Sequence, residues 1–133
     1  GCIAVNRANG MKALRAMRKK AVHFRDRGRS MLIFPQGTRV APGTDHPYEI
    51  GVFTIYESTG LPVVPVALNS GHVWPRNSWS RTPGIVDVRF LDPIEPGLSR
   101  KAFMAELETR IEAGMARLEA PYEQNNNNKK GDR

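Results

Sequence analysis

The fold of this chain is decided by the stretch Met31-Leu32-Ile33-Phe34-Pro35-Gln36-Gly37-Thr38-Arg39. Its first four residues form a continuous apolar run closed by a proline, which is typical of a strand buried on both faces. Residues 35–47 contain two glycines and three prolines without any periodicity, so they predict a loop. Because ligands of open α/β sheets bind at the carboxyl ends of strands, the stretch predicts a buried strand that runs into a ligand-binding turn.

Strands and helices are predicted to alternate on both sides of this stretch. Apolar residues at three- and four-residue steps predict a first helix over Gly10–Asp26, ended by Gly28, and a last helix capped by Ser99 and closed by Pro121. The other predicted elements are a strand end at Cys2–Val5, a short helix over Gly51–Ser58, a buried strand over Val63–Leu68, an irregular segment over 69–83 and a half-exposed strand over Ile85–Leu91. This alternation indicates an α/β fold with at least some parallel strands.

Length and composition limit the class of protein. A chain of 133 residues supports one domain with a real core, and its single cysteine excludes a disulfide framework or a zinc site built from several thiolates. Its apolar runs fall far short of the ~18 residues that a membrane-spanning helix needs. The chain begins with Gly1 and lacks a signal-peptide pattern, so we expect that an N-terminal part is missing. Residues 121–133 are of low complexity and predict a disordered polar tail after a domain over residues 1–120.

Positive charge is concentrated in the first 29 residues. They hold nine basic residues and one acidic residue, whereas the remainder of the chain is nearly neutral. Such a segment attracts polyanions, namely nucleic acids, anionic lipid headgroups or phosphorylated substrates. An ordinary solvated helix face explains the same pattern equally well, so composition alone leaves both interpretations open.

The turn after Phe34 has residues suited to phosphate binding. Gly37 allows a close backbone approach, Thr38 offers a hydroxyl, and Arg39 offers a planar fork that matches phosphate oxygens. Arg7 follows the apolar run Cys2–Val5 in the same way, so two arginines at strand ends could clamp a dianion. The alternative for each is an ordinary surface arginine after a strand.

Common catalytic and cofactor motifs are absent from the sequence. There is no Walker A loop, dinucleotide-binding glycine pattern, zinc-protease helix or nucleophile elbow. The three histidines, His23, His46 and His72, lie in unrelated contexts, and none sits in a pattern that supports proton transfer. These absences predict no metal site, and they leave proton transfer by His46 or His72 as a minor alternative to an ordinary structural role.

Three blocks of the sequence resemble the glycerophospholipid acyltransferase family, in that family's order. Phe34–Arg39 resembles its Phe-Pro-Glu-Gly-Thr-Arg block, Gly1–Arg7 resembles the preceding block, and Leu61–Val66 resembles a later Val-Pro-Val block. The stretch Val66–Gly71 with Trp74-Pro75-Arg76 is similar to bacterial members. The resemblance extends from Gly1 to about Glu119.

The resemblance implies a fold and an activity. The fold would be a mixed, partly parallel sheet flanked by helices, as in glycerol-3-phosphate acyltransferases, incomplete at the N-terminus. An acyl thioester, acyl-CoA or acyl-carrier protein, would donate its acyl chain to lysophosphatidic acid to form phosphatidic acid. Phosphate binding would involve Arg7, Gln36, Gly37, Thr38 and Arg39, with Gln36 organising the turn. The resemblance leaves two interpretations open for Val64, Pro65 and Val66: they would border the acyl chain, or they would form part of the hydrophobic core.

This sequence departs from the family's pattern in two ways. Gln36 stands where the family usually has glutamate, which keeps the shape and hydrogen bonding but removes a charge. The family's catalytic block, a histidine and an aspartate with four residues between them, would lie upstream of Gly1. We therefore expect this chain to be inactive alone and the bacterial parent protein to act at the cytoplasmic face of the inner membrane, either peripherally or through the missing N-terminal part.

Two other functions compete with this reading. A non-catalytic module could bind nucleic acid or anionic lipid through the basic segment 7–29. Its only aromatic residue, Phe24, lies on the apolar helix face, so stacking on bases is poorly supported and no nucleic-acid partner is expected. The acceptor could also be another lyso-lipid, because the three blocks do not specify it.

Overall fold

Four helices and two short strands make up the part of the chain that the computed structural model describes, namely residues 10–75, 79 and 81–130. In chain order they are α1 (Gly10–Arg25), α2 (Gly51–Thr59), β1 (Val66–Leu68), α3 (Ser70–Val73), β2 (Val88–Phe90) and α4 (Arg100–Lys130). The predicted strand end Cys2–Val5 and the candidate site residue Arg7 lie outside the described residues.

Helix α1 has the amphipathic character that its sequence predicts. Leu14 and Met17 are half-buried and Ala21 is fully buried, whereas the lysines of the helix are exposed. Gly28 ends the helical segment with a φ of +64°, a left-handed conformation that glycine adopts without strain. The predictions of this helix and of its terminating glycine are confirmed.

Helix α2 packs against α1 where Gly51 of α2 meets the side chain of Met17 of α1. A Cβ added at Gly51 would lie 2.8 Å from Cε of Met17, so the absence of a side chain there lets the helices approach. The guanidinium of Arg25 donates a hydrogen bond of 3.1 Å to the carbonyl oxygen of Thr59 at the end of α2. Gly60 then ends α2 in a left-handed conformation.

The two strands form an antiparallel pair. Val66 lies opposite Phe90 and Leu68 opposite Val88, and an isolated antiparallel bridge joins Val63 to Ile94. Both strands are shorter than predicted, and all of β2 is exposed where alternating burial was expected. The α/β class is confirmed, but the strand pairing in the described part of the chain is antiparallel, not parallel.

The prediction that Met31–Phe34 forms a strand buried on both faces is wrong for this structure. The segment belongs to no strand, and the side chains of Leu32 and Phe34 are 79% and 66% exposed, while Met31 and Ile33 are half-buried. An extended segment becomes a strand only when a neighbour shares its backbone hydrogen bonds. Among the residues that the structure describes, none pairs with it as a strand.

Two further boundaries differ from the sequence-based expectation. Residues 69–83, expected to be irregular, contain the single-turn helix α3, which is too short for a periodic pattern to reveal. Pro121 does not close the last helix, because α4 continues through it to Lys130. A proline inside a helix removes one backbone hydrogen bond, but the helix here continues past it without a break. The boundary at residue 120 between a domain and a polar tail stays a prediction.

Helix α4 crosses the strand pair and closes the core. Ser99 caps it as predicted, accepting a 3.3 Å hydrogen bond from the amide of Ala102. A Cβ added at Gly114 would lie 2.9 Å from Cβ of Ala67, so β1 and α4 are in close contact there. Phe103 of α4 is fully buried and stacks on Tyr56 of α2, with ring centroids 4.0 Å apart. This packing fixes α2 and the strands relative to α4.

Candidate functional site

The turn that the sequence predicts after Phe34 is present and is closed by a backbone hydrogen bond. The amide of Gly37 donates a 3.0 Å hydrogen bond to the carbonyl oxygen of Phe34, and Pro35 occupies the second position of the turn, where its fixed φ is favoured. Gly37 has a φ of +65°, so a residue with a Cβ would be strained at this position. The glycine of the predicted motif is therefore required by the turn itself.

A hydrogen bond ties this turn to the segment that enters α2. The amide of Glu49 donates to the carbonyl oxygen of Pro35 at 2.7 Å, and the carbonyl oxygen of Glu49 accepts from Val52 in the first turn of the helix. Residues 35–49 therefore form a closed loop whose two ends are held together. Within the turn, Gln36 and Thr38 are half-buried, whereas Arg39 is exposed.

The far side of the loop packs on α3. A Cβ added at Gly71 would lie 3.0 Å from Cγ of Pro42, so the loop and the short helix touch without space for a larger residue. Directly after α3, the ring of Trp74 lies 6.0 Å from the guanidinium carbon of Arg39 and 4.5 Å from that of Arg81. One indole thus contacts two cations that lie far apart in the sequence.

Helix α3 is held by a buried asparagine. Asn69 is 1% exposed; its side-chain oxygen accepts a 2.8 Å hydrogen bond from the amide of Asp87, and its side-chain nitrogen donates to the carboxylate of Asp87 at 3.3 Å. The carbonyl oxygen of Asn69 also accepts from the amide of His72 within the helix. The short helix and the approach to β2 are therefore anchored to each other.

The loop also contacts α4 through a tyrosine. The hydroxyl of Tyr48 donates a 2.9 Å hydrogen bond to the carboxylate of Glu112. Burial raises the pKa of Tyr48 well above its usual range, and the hydrogen bond to Glu112 and the charges of Glu112 and Glu108 raise it further. The hydroxyl therefore stays protonated at physiological pH and acts as a donor that links the loop to α4.

The residues predicted to border the acyl chain or to form core are divided between two environments. Pro65 is fully buried, Val66 is half-buried in β1, and Val64 is 48% exposed. The carbonyl oxygen of Pro65 accepts a 2.9 Å hydrogen bond from the amide of Leu91, which continues the strand pairing beyond β1. Pro65 is thus a core residue, while Val64 lies on the surface.

The three histidines lie in different surroundings. His23 contacts Arg27 on the exposed face of α1, and Nδ1 of His46 lies 3.0 Å from the carbonyl oxygen of Pro47. Nε2 of His72 lies 3.7 Å from a carboxylate oxygen of Glu119 on α4.

An open cleft of about 280 Å³ lies between β2 and α4, lined by Asp87, Val88, Arg89, Arg117 and Leu118. None of the residues of the predicted turn line it. The candidate site is the turn, where the sequence-predicted residues Gln36, Gly37, Thr38 and Arg39 lie together. Trp74 and Arg81 join the site only through the tertiary structure, and no spacing in the sequence points to Arg81.

Comparison with known proteins identifies the family of this chain. The profile of the family described as Acyltransferase matches residues 1–69, which include the whole turn. The chain belongs to the acyltransferase family. Within the part of the chain that the structure describes, no helix is both long enough and apolar enough to cross a membrane.

Similar proteins include two curated relatives and one solved structure. The chain is 32% identical over 111 residues to 1-acyl-sn-glycerol-3-phosphate acyltransferase of Pseudomonas aeruginosa, covering 84% of this chain and 43% of that protein. It is 32% identical over 92 residues to the Cocos nucifera enzyme of the same name, covering 68% of this chain and 30% of that enzyme. The crystal structure of the 1-acyl-sn-glycerophosphate (LPA) acyltransferase PlsC from Thermotoga maritima superposes with a TM-score of 0.71 at 27% identity, covering 77% of this chain and 46% of PlsC. The chain therefore spans less than half the length of these three proteins.

Proposed function

We propose that the whole protein containing this acyltransferase chain transfers an acyl group to 1-acylglycerol-3-phosphate and so forms phosphatidic acid. The observation that carries this proposal is the turn at Pro35–Thr38, which presents Arg39 beside Trp74. The names of the similar proteins support the same substrate. The donor is a thioester, acyl-CoA or acyl-carrier protein, and it acts as a co-substrate, so no bound cofactor is involved.

In this reaction the acceptor's free hydroxyl oxygen attacks the thioester carbonyl carbon. A new C–O ester bond forms, the C–S bond breaks, and the hydroxyl proton leaves through a general base while the thiol departs. We place that base, a histidine oriented by an aspartate, in the part of the whole protein that this chain does not cover. Within the described residues, no histidine lies in the turn that would hold the phosphate.

The residues of the turn have distinct roles in this proposal. Arg39 supplies the charge and the planar fork for the phosphate, and Thr38 supplies a hydroxyl. The amide of Gly37 is already bonded to the carbonyl oxygen of Phe34, so Gly37 contributes the backbone conformation and not a phosphate donor. Gln36 stabilises the turn by hydrogen bonding, and Arg7 joins the phosphate from the preceding block.

The basic face of α1 suits contact with a membrane surface. Its apolar side packs on α2, while Lys12, Arg15, Arg18, Lys19 and Lys20 are exposed. Each basic residue near an anionic bilayer adds about 1 kcal/mol of attraction. We propose that the protein acts at the cytoplasmic face of the inner membrane with this helix against the headgroups. Co-sedimentation with anionic vesicles and with nucleic acid at matched salt tests this: preferential binding to nucleic acid would contradict it.

The partly parallel sheet predicted from the sequence also remains a proposal. Leu32 and Phe34 expose apolar side chains in a segment that pairs with no strand among the described residues. We propose that in the whole protein this segment pairs with a strand and becomes part of a mixed sheet.

Removal of the Arg39 guanidinium tests the proposed function. In the full-length protein, Arg39→Ala should lower kcat/KM for lysophosphatidic acid by one order of magnitude or more, because a charged bidentate contact is lost. Arg39→Lys should also be poor, since an ammonium cannot reproduce the fork. Thiol release from acyl-CoA measures the rate, and Arg100→Ala, at an exposed arginine of α4, controls for the change in charge.

The outcomes of this experiment separate the alternatives. Unchanged kinetics in Arg39→Ala would refute the phosphate site at the turn. Equal rates with a lyso-lipid that lacks the glycerol phosphate would show that the acceptor belongs to a different class.

A further inference from the structure

Two arginines border the cleft between β2 and α4, which the residues of the phosphate turn do not line. The cleft has a volume of about 280 Å³, and Arg89 of β2 and Arg117 of α4 line it together with Asp87, Val88 and Leu118. This volume is close to the lower end of the ~300–1,000 Å³ that small-molecule sites usually have. The cleft therefore has room for an organic ligand and not only for a single ion.

The strand register places Arg89 on the side of the sheet that faces α4. Arg89 lies directly opposite Ala67, and residues paired across two antiparallel strands carry their side chains on the same face. Ala67 is fully buried, and a Cβ added at Gly114 of α4 would lie 2.9 Å from its Cβ. Arg117 comes three residues after Gly114, so the two positions are neighbours on the surface of α4. Both arginines thus border the same junction of strand and helix.

The surroundings of both arginines supply no opposite charge. In the sequence, no acidic residue lies three or four positions from Arg117, where a helical ion pair would form. Across the strands, Arg89 lies opposite the methyl group of Ala67. Among the residues that the structure describes, neither guanidinium forms an ion pair with a carboxylate. Because both side chains are exposed, their charges are available to a ligand that brings negative charge into the cleft.

Asp87 adds an acceptor to the lining of the cleft. Its backbone amide donates a 2.8 Å hydrogen bond to the side-chain oxygen of Asn69, and one of its carboxylate oxygens accepts a 3.3 Å bond from the side-chain nitrogen. The carboxylate repels phosphate, but it can accept further hydrogen bonds from hydroxyl or amino groups. The lining therefore suits a nucleotide, whose sugar and base supply such donors while its phosphates meet the arginines.

Helix α3 connects the cleft with the phosphate turn. Asn69, which holds Asp87, directly precedes this helix, and Pro42 of the loop after the turn packs on Gly71 within it. The helix has only four residues, which is about 6 Å of helix length. A ligand whose nucleotide lies in the cleft can therefore extend a flexible arm toward an acceptor held at the turn.

We propose that this cleft binds the nucleotide end of an acyl-CoA donor, with Arg89 and Arg117 as its phosphate-binding residues. The inference rests on the proposed function, because it selects acyl-CoA from the two classes of thioester donor. CoA carries a phosphate monoester on its ribose and a diphosphate that leads to the pantetheine arm, so each arginine can meet a separate phosphate group. The turn that carries Arg39 serves the phosphate of the acceptor.

Isothermal titration calorimetry of the full-length protein with CoA gives a direct test. CoA should bind saturably, whereas pantetheine, which lacks the nucleotide, should bind far more weakly. Arg89→Gln and Arg117→Gln should each raise the Kd for CoA about tenfold, because a charged contact to phosphate is lost. Arg100→Gln removes the same charge from an exposed position at the start of α4 and should leave the Kd nearly unchanged.

Steady-state kinetics separate the donor site from the acceptor site. In the full-length protein, Arg117→Gln should raise the KM for acyl-CoA and leave both the KM for lysophosphatidic acid and kcat at saturating donor nearly unchanged. Arg39→Ala should instead lower kcat/KM for lysophosphatidic acid. A variant that only loosened the fold would lower kcat and change the KM values of both substrates together, and this result for Arg117→Gln would contradict the inference.

Each outcome bears on the inference separately from the proposed function. If Arg89→Gln and Arg117→Gln bind CoA as tightly as Arg100→Gln does, the inference is refuted, and the effect of Arg39→Ala still decides the proposed function. If the two variants impair transfer from acyl-carrier protein but not from acyl-CoA, the cleft receives a protein and the inference is refuted. If CoA binds through the two arginines but no acyl group reaches lysophosphatidic acid, the nucleotide site stands and the proposed function is refuted.

Discussion

Replacement of Tyr56 by phenylalanine tests the packing that positions the site. The hydroxyl of Tyr56 donates a 2.6 Å hydrogen bond to the carbonyl oxygen of Glu95 and accepts a 2.9 Å bond from the amide of Leu98. Tyr56 is 2% exposed, whereas Glu95 and Leu98 belong to the exposed surface, so both bonds are only part-buried. Its ring stacks on Phe103, and this contact remains in the variant. Tyr56→Phe therefore removes two hydrogen bonds and little apolar contact.

The expected cost follows from these two bonds. A typical intramolecular hydrogen bond contributes about 0.5–1.5 kcal/mol net, so the loss of two should lower the free energy of unfolding by about 1–3 kcal/mol. This is a measurable part of the ~5–15 kcal/mol by which a domain of ordinary stability is folded. Urea denaturation followed by circular dichroism measures the difference, with the midpoint shifted and the m-value unchanged.

Tyr48→Phe is a matched control, because it also removes one hydroxyl. Tyr48 is half-buried and bonds only to the carboxylate of Glu112, which water can solvate once the hydroxyl is gone. We expect a cost of about 1 kcal/mol or less in this variant. A Tyr56→Phe variant as stable as the parent, or no less stable than Tyr48→Phe, would refute the role of Tyr56 in joining α2 to the start of α4.

Three further predictions follow from the turn, the coverage of the chain and the raised pKa. Because the proposed role of Gln36 is to stabilise the turn by hydrogen bonding, Gln36→Glu should keep most of the activity of the full-length enzyme and Gln36→Ala should lose several times more, measured as thiol release with lysophosphatidic acid. The 133-residue chain alone should show no turnover in that assay, because general-base catalysis contributes about 10²–10⁴-fold and the base is proposed to lie elsewhere in the whole protein. The pKa of Tyr48 is raised above its ordinary value near 10, so its contribution to stability should be complete below pH 10 and should decline as the pH rises further. Denaturation measured at several pH values should show this decline in the parent and not in Tyr48→Phe.

Contrary results would be equally informative for these three. Equal activity of both Gln36 variants would show that the side chain does nothing in the turn. Turnover by the chain that disappears in His46→Ala or His72→Ala would place the base within it. An identical pH dependence in the parent and in Tyr48→Phe would show that the hydroxyl titrates alike in the folded and unfolded chains.

The sequence by itself determined α1, α2, the start of α4 and the turn at Gly37. The stability of α1, α2 and the start of α4 depends on apolar spacing and on local signals such as Gly28, Gly60 and Ser99, all of which are visible within a few residues. The turn at Gly37 is likewise local, because its hydrogen bond spans only three residues and its left-handed conformation calls for glycine. The order of the three sequence blocks also indicated the acyltransferase family, whose profile matches residues 1–69.

Only the tertiary structure decided which strands pair and which side chains surround Arg39. The apolar run Met31–Phe34 has the composition of a strand, but strand pairing needs a neighbour that its own residues cannot specify. Arg39 and Arg81 both lie near the ring of Trp74, and the loop after the turn and the segment after α3 both pack on that short helix. Contacts of this kind join residues far apart in the chain and leave no period or spacing behind, which is why they become visible only once the chain is folded.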